Sequence, residues 1–205
     1  MKSVRRPASA TSGPPYCKPL SKSALLSWLR SDLPHVWRTI DLLVLHCSDT
    51  RPSQNFTIEK LRASHKARGF GEYPGYHVYV KRDGTCYYCR PLSMKGCHVA
   101  GYNANSIGIC TEGGHREDPP QIPVGTLNNL EELQSRAVTL PPTQGGRGSY
   151  EDNRTAEQKV VLHEVLTLLH ELFPKAKIVG HRDLPGVAKA CPCYDAAKEY
   201  SYLLH

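Results

Sequence analysis

Apolar residues in this chain fall into two kinds of pattern. Some form short unbroken runs that end at polar turns. Asp41-Leu-Leu-Val-Leu-His-Cys47 is the clearest, closed by Ser48-Asp49-Thr50-Arg51-Pro52. It reads as a strand buried on both faces that delivers His46 to its C-terminal end. Ser106-Ile-Gly-Ile-Cys-Thr111 and Lys177-Ile-Val-Gly180 are shorter strands, the second ending in His181. Tyr76 to Lys81 and Thr85 to Arg90 alternate about Arg82-Asp83-Gly84, which predicts a hairpin. Other apolar residues recur at helical spacing. Thr155-Ala-Glu-Gln158 has the form of a capping box. It opens a helix in which Val161, Val165, Leu168 and Leu172 make one row and Leu162, Leu166, Leu169 and Phe173 the next, so one broad face is buried. Ile58, Leu61 and His65 mark a helix from Thr57 to Arg68 with Gly69 as its stop. Ser21 to Leu33 is a short amphipathic helix ended before Pro34, and a last helix is expected over Tyr194 to Leu203.

Between these elements the chain is less regular. Residues 1–20 read as a flexible basic tail, and 1–40 as an N-terminal extension made of that tail and the first helix. Residues 41–205 form the main domain. It is interrupted at about 115–153 by a Pro- and Gly-rich insertion with a possible short helix near Leu127–Arg136. Strands and helices are interspersed without an internal repeat. The expected fold is α/β: a central mixed β-sheet flanked by helices, with the functional site at the C-terminal ends of the strands.

The 205 residues suffice for a core without staples, and 40% hydrophobic with 22% charged residues is a globular composition. No run approaches ~18 consecutive apolar residues, so no membrane span is expected. The opening Met1-Lys2-Ser3-Val4-Arg5-Arg6-Pro7 is basic, but Ala8 to Tyr16 lacks an apolar stretch. No signal peptide is therefore expected, and synthesis is expected in the cytoplasm. The net charge of +7 favours an anionic partner without choosing among nucleic acid, lipid and acidic wall polymers. Eight cysteines at irregular spacing suit free thiols and metal ligands better than a disulfide framework. A disulfide involving Cys193 or Cys47 is the alternative.

Ten histidines compete for chemical roles. His163 and His170 lie on the outer face of the long helix, and His35, His115 and His205 in loops or the tail, so no function is expected of these five. His46 and His181 each end a strand, and strand ends in open α/β sheets converge on a site. Cys191 follows ten residues after His181. Two imidazoles and a thiolate are good zinc ligands, and three protein ligands leave a fourth position open, as in catalytic sites. In an extended loop Lys189 points to the same side as Cys191, where an ammonium stabilises an oxyanion. His77 points opposite to Tyr76 and reads as structural, as does His65.

The ordered segments Leu45-His46-Cys47-Ser48, Gly75-Tyr76-His77, Lys81-Arg82-Asp83-Gly84, His98-Val-Ala-Gly-Tyr102-Asn-Ala-Asn105-Ser106-Ile107-Gly108 and Lys189-Ala190-Cys191-Pro192 carry a resemblance. From about residue 42 to 195 the chain resembles the type-2 N-acetylmuramoyl-L-alanine amidases, most closely their phage endolysins. The same family includes the peptidoglycan-recognition proteins. The resemblance implies one Zn2+ per chain on His46, His181 and Cys191, a catalytic Tyr76, a catalytic Lys189, and His98 near the substrate. It implies hydrolysis of the amide between N-acetylmuramic acid and L-alanine, with peptidoglycan or muropeptide as partner and no nucleic acid. It also implies action on the wall after release or export; a monomer is favoured. The chain departs from the cytosolic muropeptide amidases in carrying Cys110 where they carry Glu, so it is expected to use the Tyr-type arrangement. Glu112 is a conceivable substitute.

Two other readings stand beside this one. The first is a recognition module that holds muropeptide without cutting it. The second is a nucleic-acid- or polymerase-binding protein with a structural zinc on Cys86-x-x-Cys89 and Cys97-His98. On a strand, however, Cys86 and Cys89 face opposite sides.

Overall fold

The computed structural model describes residues 16–117 and 150–204. Its centre is one six-stranded mixed sheet. The strands are β1 (Pro19–Leu20), β2 (Leu42–Cys47), β3 (Val78–Val80), β4 (Cys86–Tyr88), β5 (Ser106–Thr111) and β6 (Lys177–Gly180). They lie in the order β1-β4-β3-β5-β2-β6. β2 runs parallel to β5 and β6, β3 runs parallel to β5, and the β3–β4 and β4–β1 pairs are antiparallel. The helices are α1 (Lys22–Asp32), α2 (Ile58–Ala67), α3 (Ala156–Leu172) and the short α4 (Ala196–Glu199).

Both faces of the sheet are covered, which is why its inner strands are unbroken apolar runs. On one face Leu43, Leu45, Ile107, Ile109 and Ile178 pack against Leu25 and Leu29 of α1 and against Leu162, Leu166 and Leu169 of α3. On the other face Tyr79, Tyr87 and Cys110 meet Ile58 and Leu61 of α2. Val44 points to this second side, among Val99 and Leu184. His46, two residues on, shares its direction.

The capping box at α3 is present as expected. Gln158 N–H donates to Thr155 Oγ1 and Thr155 N–H donates to Gln158 Oε1, both at 3.1 Å. The same two residues also bind the sheet. Thr155 Oγ1 donates to the Arg82 carbonyl, and the buried Gln158 Nε2 donates to the carbonyls of Val80 and Glu112. The start of α3 is thus tied to the β3–β4 turn.

Three expectations need correction. Residues 16–20 are not tail: Cys17 N–H donates to the Tyr88 carbonyl and Pro19–Leu20 pairs with β4 as an edge strand, a place that tolerates proline. The hairpin strands are shorter than read, although backbone bonds continue past them, from His77 N–H to Gly108 O and from Cys89 N–H to His77 O. The last helix starts late because Asp195 caps it, accepting from Lys198 N–H, and it tightens into a 3-10 turn over Ser201–Leu204. The tail up to residue 15, the core of the insertion with its expected helix, and His205 lie outside the described residues. Among the described residues no helix is long and apolar enough to cross a membrane.

Candidate active site and metal centre

The parallel register of β2 and β6 builds the centre. Leu45 pairs with Gly180, so the next residues, His46 and His181, emerge side by side at the same sheet edge. Their ring centroids are 4.6 Å apart. The loop after β6 returns Cys191 to this edge, fixed by the Arg182 N–H donating to the Cys191 carbonyl at 2.8 Å. Cys47 N–H donates to Cys191 Sγ at 3.3 Å, and Cys191 Sγ lies 3.7 Å from His46 Nδ1. One ligand atom each from His46, His181 and Cys191 falls within 4.8 Å of the others. This fits a single small cation with soft and borderline donors, and the donor set suits zinc.

The trio lies in a cleft of about 1230 Å3, which Tyr76, His98 and Lys189 also line. The six residues singled out in the sequence therefore share one cleft. Tyr76 stands 5.0 Å from His46, ring centre to ring centre. Burial, together with the neighbouring thiols of Cys110, Cys191 and Cys47, raises its hydroxyl well above the ordinary tyrosine range, so it stays a proton donor. Lys189 sits exposed on the rim. Burial first, then the charges around it including Lys189, hold His46 well below the usual imidazole range. Burial, then Lys189, also lowers His181. Both are therefore neutral, the form that binds a metal.

His98 lines the cleft, but its polar atoms turn inward. Its Nδ1 is 2.9 Å from His46 Nε2 and its Nε2 is 3.3 Å from Ser106 Oγ. Burial, then His181, Arg38 and Arg90, hold it down to about 3, so it too is neutral. Sequence reasoning missed the partnership with Ser106. The disulfide considered for Cys193 or Cys47 is not formed: all eight cysteines are free, although Cys47 Sγ and Cys193 Sγ are 3.7 Å apart. Hydrogen bonds from Cys191 and Cys193 lower Cys47, and the same bonds raise its two neighbours. Cys86 and Cys89 enter different halves of the core, so they do not share a metal.

Glu112 is a brace. Its buried carboxylate accepts from Phe56 N–H at 2.5 Å and from Arg82 N–H at 3.1 Å. Glu112→Gln places an amide against one of these donors. We expect a loss of roughly 1–3 kcal/mol in urea denaturation with hydrolysis retained at permissive temperature. A folded, stable but inactive variant would instead put Glu112 in the chemistry.

His65 and His77 are structural, as expected. His65 Nδ1 accepts from Gly75 N–H at 2.8 Å and His77 Nδ1 accepts from Gly108 N–H at 3.0 Å. Burial, then nearby cations, lowers His65 to about 4; burial, then His98 and Arg38, holds His77 well below its usual range. Below pH ~6.5 the unfolded chain takes up these protons and the folded chain does not, so stability falls as pH drops from ~6.5 towards 4. His65 alone should contribute on the order of 1–3 kcal/mol to that loss. Urea midpoints measured with a chelator present should fall across this range and flatten in His65→Asn. Equal midpoints at pH 7 and pH 4.5 would contradict the assignment.

The family model described as N-acetylmuramoyl-L-alanine amidase matches residues 36–194. The endolysin of Escherichia phage T7 is 31% identical over 155 residues, covering 76% of this chain and 82% of that one. Among solved structures, the endolysin N-acetylmuramoyl-L-alanine amidase LysCS from Clostridium intestinale superposes with a TM-score of 0.57 at 22% identity, covering 94% of this chain and 92% of that one. A point mutant of Drosophila PGRP-LB in complex with tracheal cytotoxin gives 0.53 at 17%, covering 82% and 83%. At these identities the two structures establish a shared fold.

Proposed function

The chain belongs to the N-acetylmuramoyl-L-alanine amidase family, and on that premise we propose that it is a zinc-dependent peptidoglycan hydrolase. It cuts the amide between N-acetylmuramic acid and the L-alanine of the stem peptide. The observation that carries the reading is the convergence of His46, His181 and Cys191 at the sheet edge inside the cleft. Two neutral imidazoles and one thiolate would hold zinc with a formal charge of +1, a three-ligand set of the catalytic rather than the structural kind. When bound, zinc polarises a carbonyl and makes water acidic enough to react near neutral pH.

The chain's own residues do the rest. Lys189, on the cleft rim, donates to the oxygen that gains charge as the amide carbon becomes tetrahedral. The Tyr76 hydroxyl, kept protonated, is a second donor and moves a proton to or from the reacting group. The cleft is large enough for a sugar-peptide fragment, exceeding most small-molecule sites in volume. The +7 charge draws the enzyme to anionic wall polymers. The 31% identity to a phage endolysin supports a role in cell lysis, with the enzyme reaching the wall after release or export.

The test is digestion of purified peptidoglycan followed by mass spectrometry. New L-alanine amino termini, lost with a chelator and restored by zinc, are the expected result. Muropeptide binding without new termini would favour the recognition-module reading, to which relatives named as recognition proteins lend a precedent of fold.

A further inference from the structure

We infer that His98 is a positioning residue that fixes the tautomer of His46, through a hydrogen-bond chain anchored on the backbone carbonyl of Tyr102. The inference deepens the zinc reading above and rests on it. A carbonyl oxygen only accepts. Ser106 Oγ lies 2.7 Å from the Tyr102 carbonyl, so its single proton is spent there. Towards His98 Nε2, at 3.3 Å, Ser106 Oγ must then accept, which places the His98 proton on Nε2. A neutral imidazole has one N–H, so His98 Nδ1 carries a lone pair. Facing it at 2.9 Å, His46 Nε2 must donate. That leaves the lone pair of His46 on Nδ1, the atom 3.7 Å from Cys191 Sγ. Three groups in series, the Tyr102 carbonyl, Ser106 and His98, thus turn His46 into a ligand before any metal arrives.

The seat of the His98 ring is built for this. A Cβ at position 96 would stand 2.3 Å from His98 Cδ2, and one at position 108 would stand 2.6 Å from His98 Cγ. The ring therefore fits only because Gly96 and Gly108 bring bare backbone against it. Asn103 holds the backbone below, its Oδ1 accepting from His98 N–H at 2.8 Å and Val99 N–H at 3.0 Å. The opposite tautomer of His46 would put a proton on Nδ1 and exclude a cation from that atom. Groups that orient a metal-bound histidine in this way typically account for ten- to hundredfold in metal affinity.

The test has two readouts that need no substrate. Side-chain 15N spectra of the metal-free protein at neutral pH should show His46 with its proton on Nε2. Zinc affinity by chelator competition should fall about ten- to hundredfold in His98→Ala. It should largely recover in His98→Asn, whose Oδ1 accepts near the place of the lost Nδ1. A metal-free His46 protonated on Nδ1, or His98→Ala with unchanged zinc affinity, would overturn the inference. The wild-type spectrum needs no variant, so a misfolded His98→Ala does not block the test. A wild-type protein that shows the Nε2 tautomer yet binds no zinc refutes the zinc reading and leaves the tautomer assignment standing.

Discussion

Replacing Lys189 with alanine is expected to leave one zinc per chain and to lower peptidoglycan hydrolysis by about a hundred- to a thousandfold. That is the usual cost of one lost oxyanion donor. The residue is exposed on the rim of the cleft and is not among the three groups that converge as ligands, so its removal should cost little stability. Its charge nevertheless reaches the centre, because it helps to hold both His46 and His181 neutral. The effect should fall on kcat more than on KM, since the interaction is made with charge that develops during the reaction. Lys189→Arg keeps the charge but presents a planar fork, and should restore only part of the rate. A zinc-replete Lys189→Ala enzyme with near-wild-type turnover would remove Lys189 from the mechanism.

Cys191→Ala should lose zinc and hydrolysis together. The thiol supplies the one negative charge of the donor set, and without it two neutral imidazoles face the cation alone. The fold should survive, because the loop is held by backbone bonds: Arg182 N–H to the Cys191 carbonyl and Cys193 N–H to the Ala190 carbonyl. Metal analysis after gel filtration, with circular dichroism as the folding control, checks this directly. A folded Cys191→Ala protein that retains one zinc would mean that another group, such as the neighbouring Cys47 thiol, holds the metal.

Much of this architecture is legible in the sequence, for physical reasons. β2 and β5 are buried on both faces, so they stand out as unbroken apolar runs, and α3 announces itself by its cap and its two apolar rows. Strand ends point to His46 and His181, and the resemblance to the amidases selects Cys191 among the nearby thiols as their partner. The missed features depend on geometry that spacing does not encode. A two-residue edge strand such as β1 has no period to detect. The inward face of Gln158 looks like an ordinary helix cap until its amide is seen bonded to two strand carbonyls. His98 reads as a substrate contact from its motif. Its turn back onto His46 follows from two glycines, Gly96 and Gly108, that look unremarkable in the chain. Glu112, two residues beyond Cys110 on one strand, looks available for chemistry until two backbone N–H groups are found on its carboxylate.

The most direct test of the central claim is a titration of metal-free enzyme with zinc. At each step, L-alanine amino termini released from purified peptidoglycan are counted by mass spectrometry. The account predicts no release without metal and a rise that reaches its plateau at one zinc per chain. Full release in the presence of a chelator, or no release at any zinc content, would contradict it.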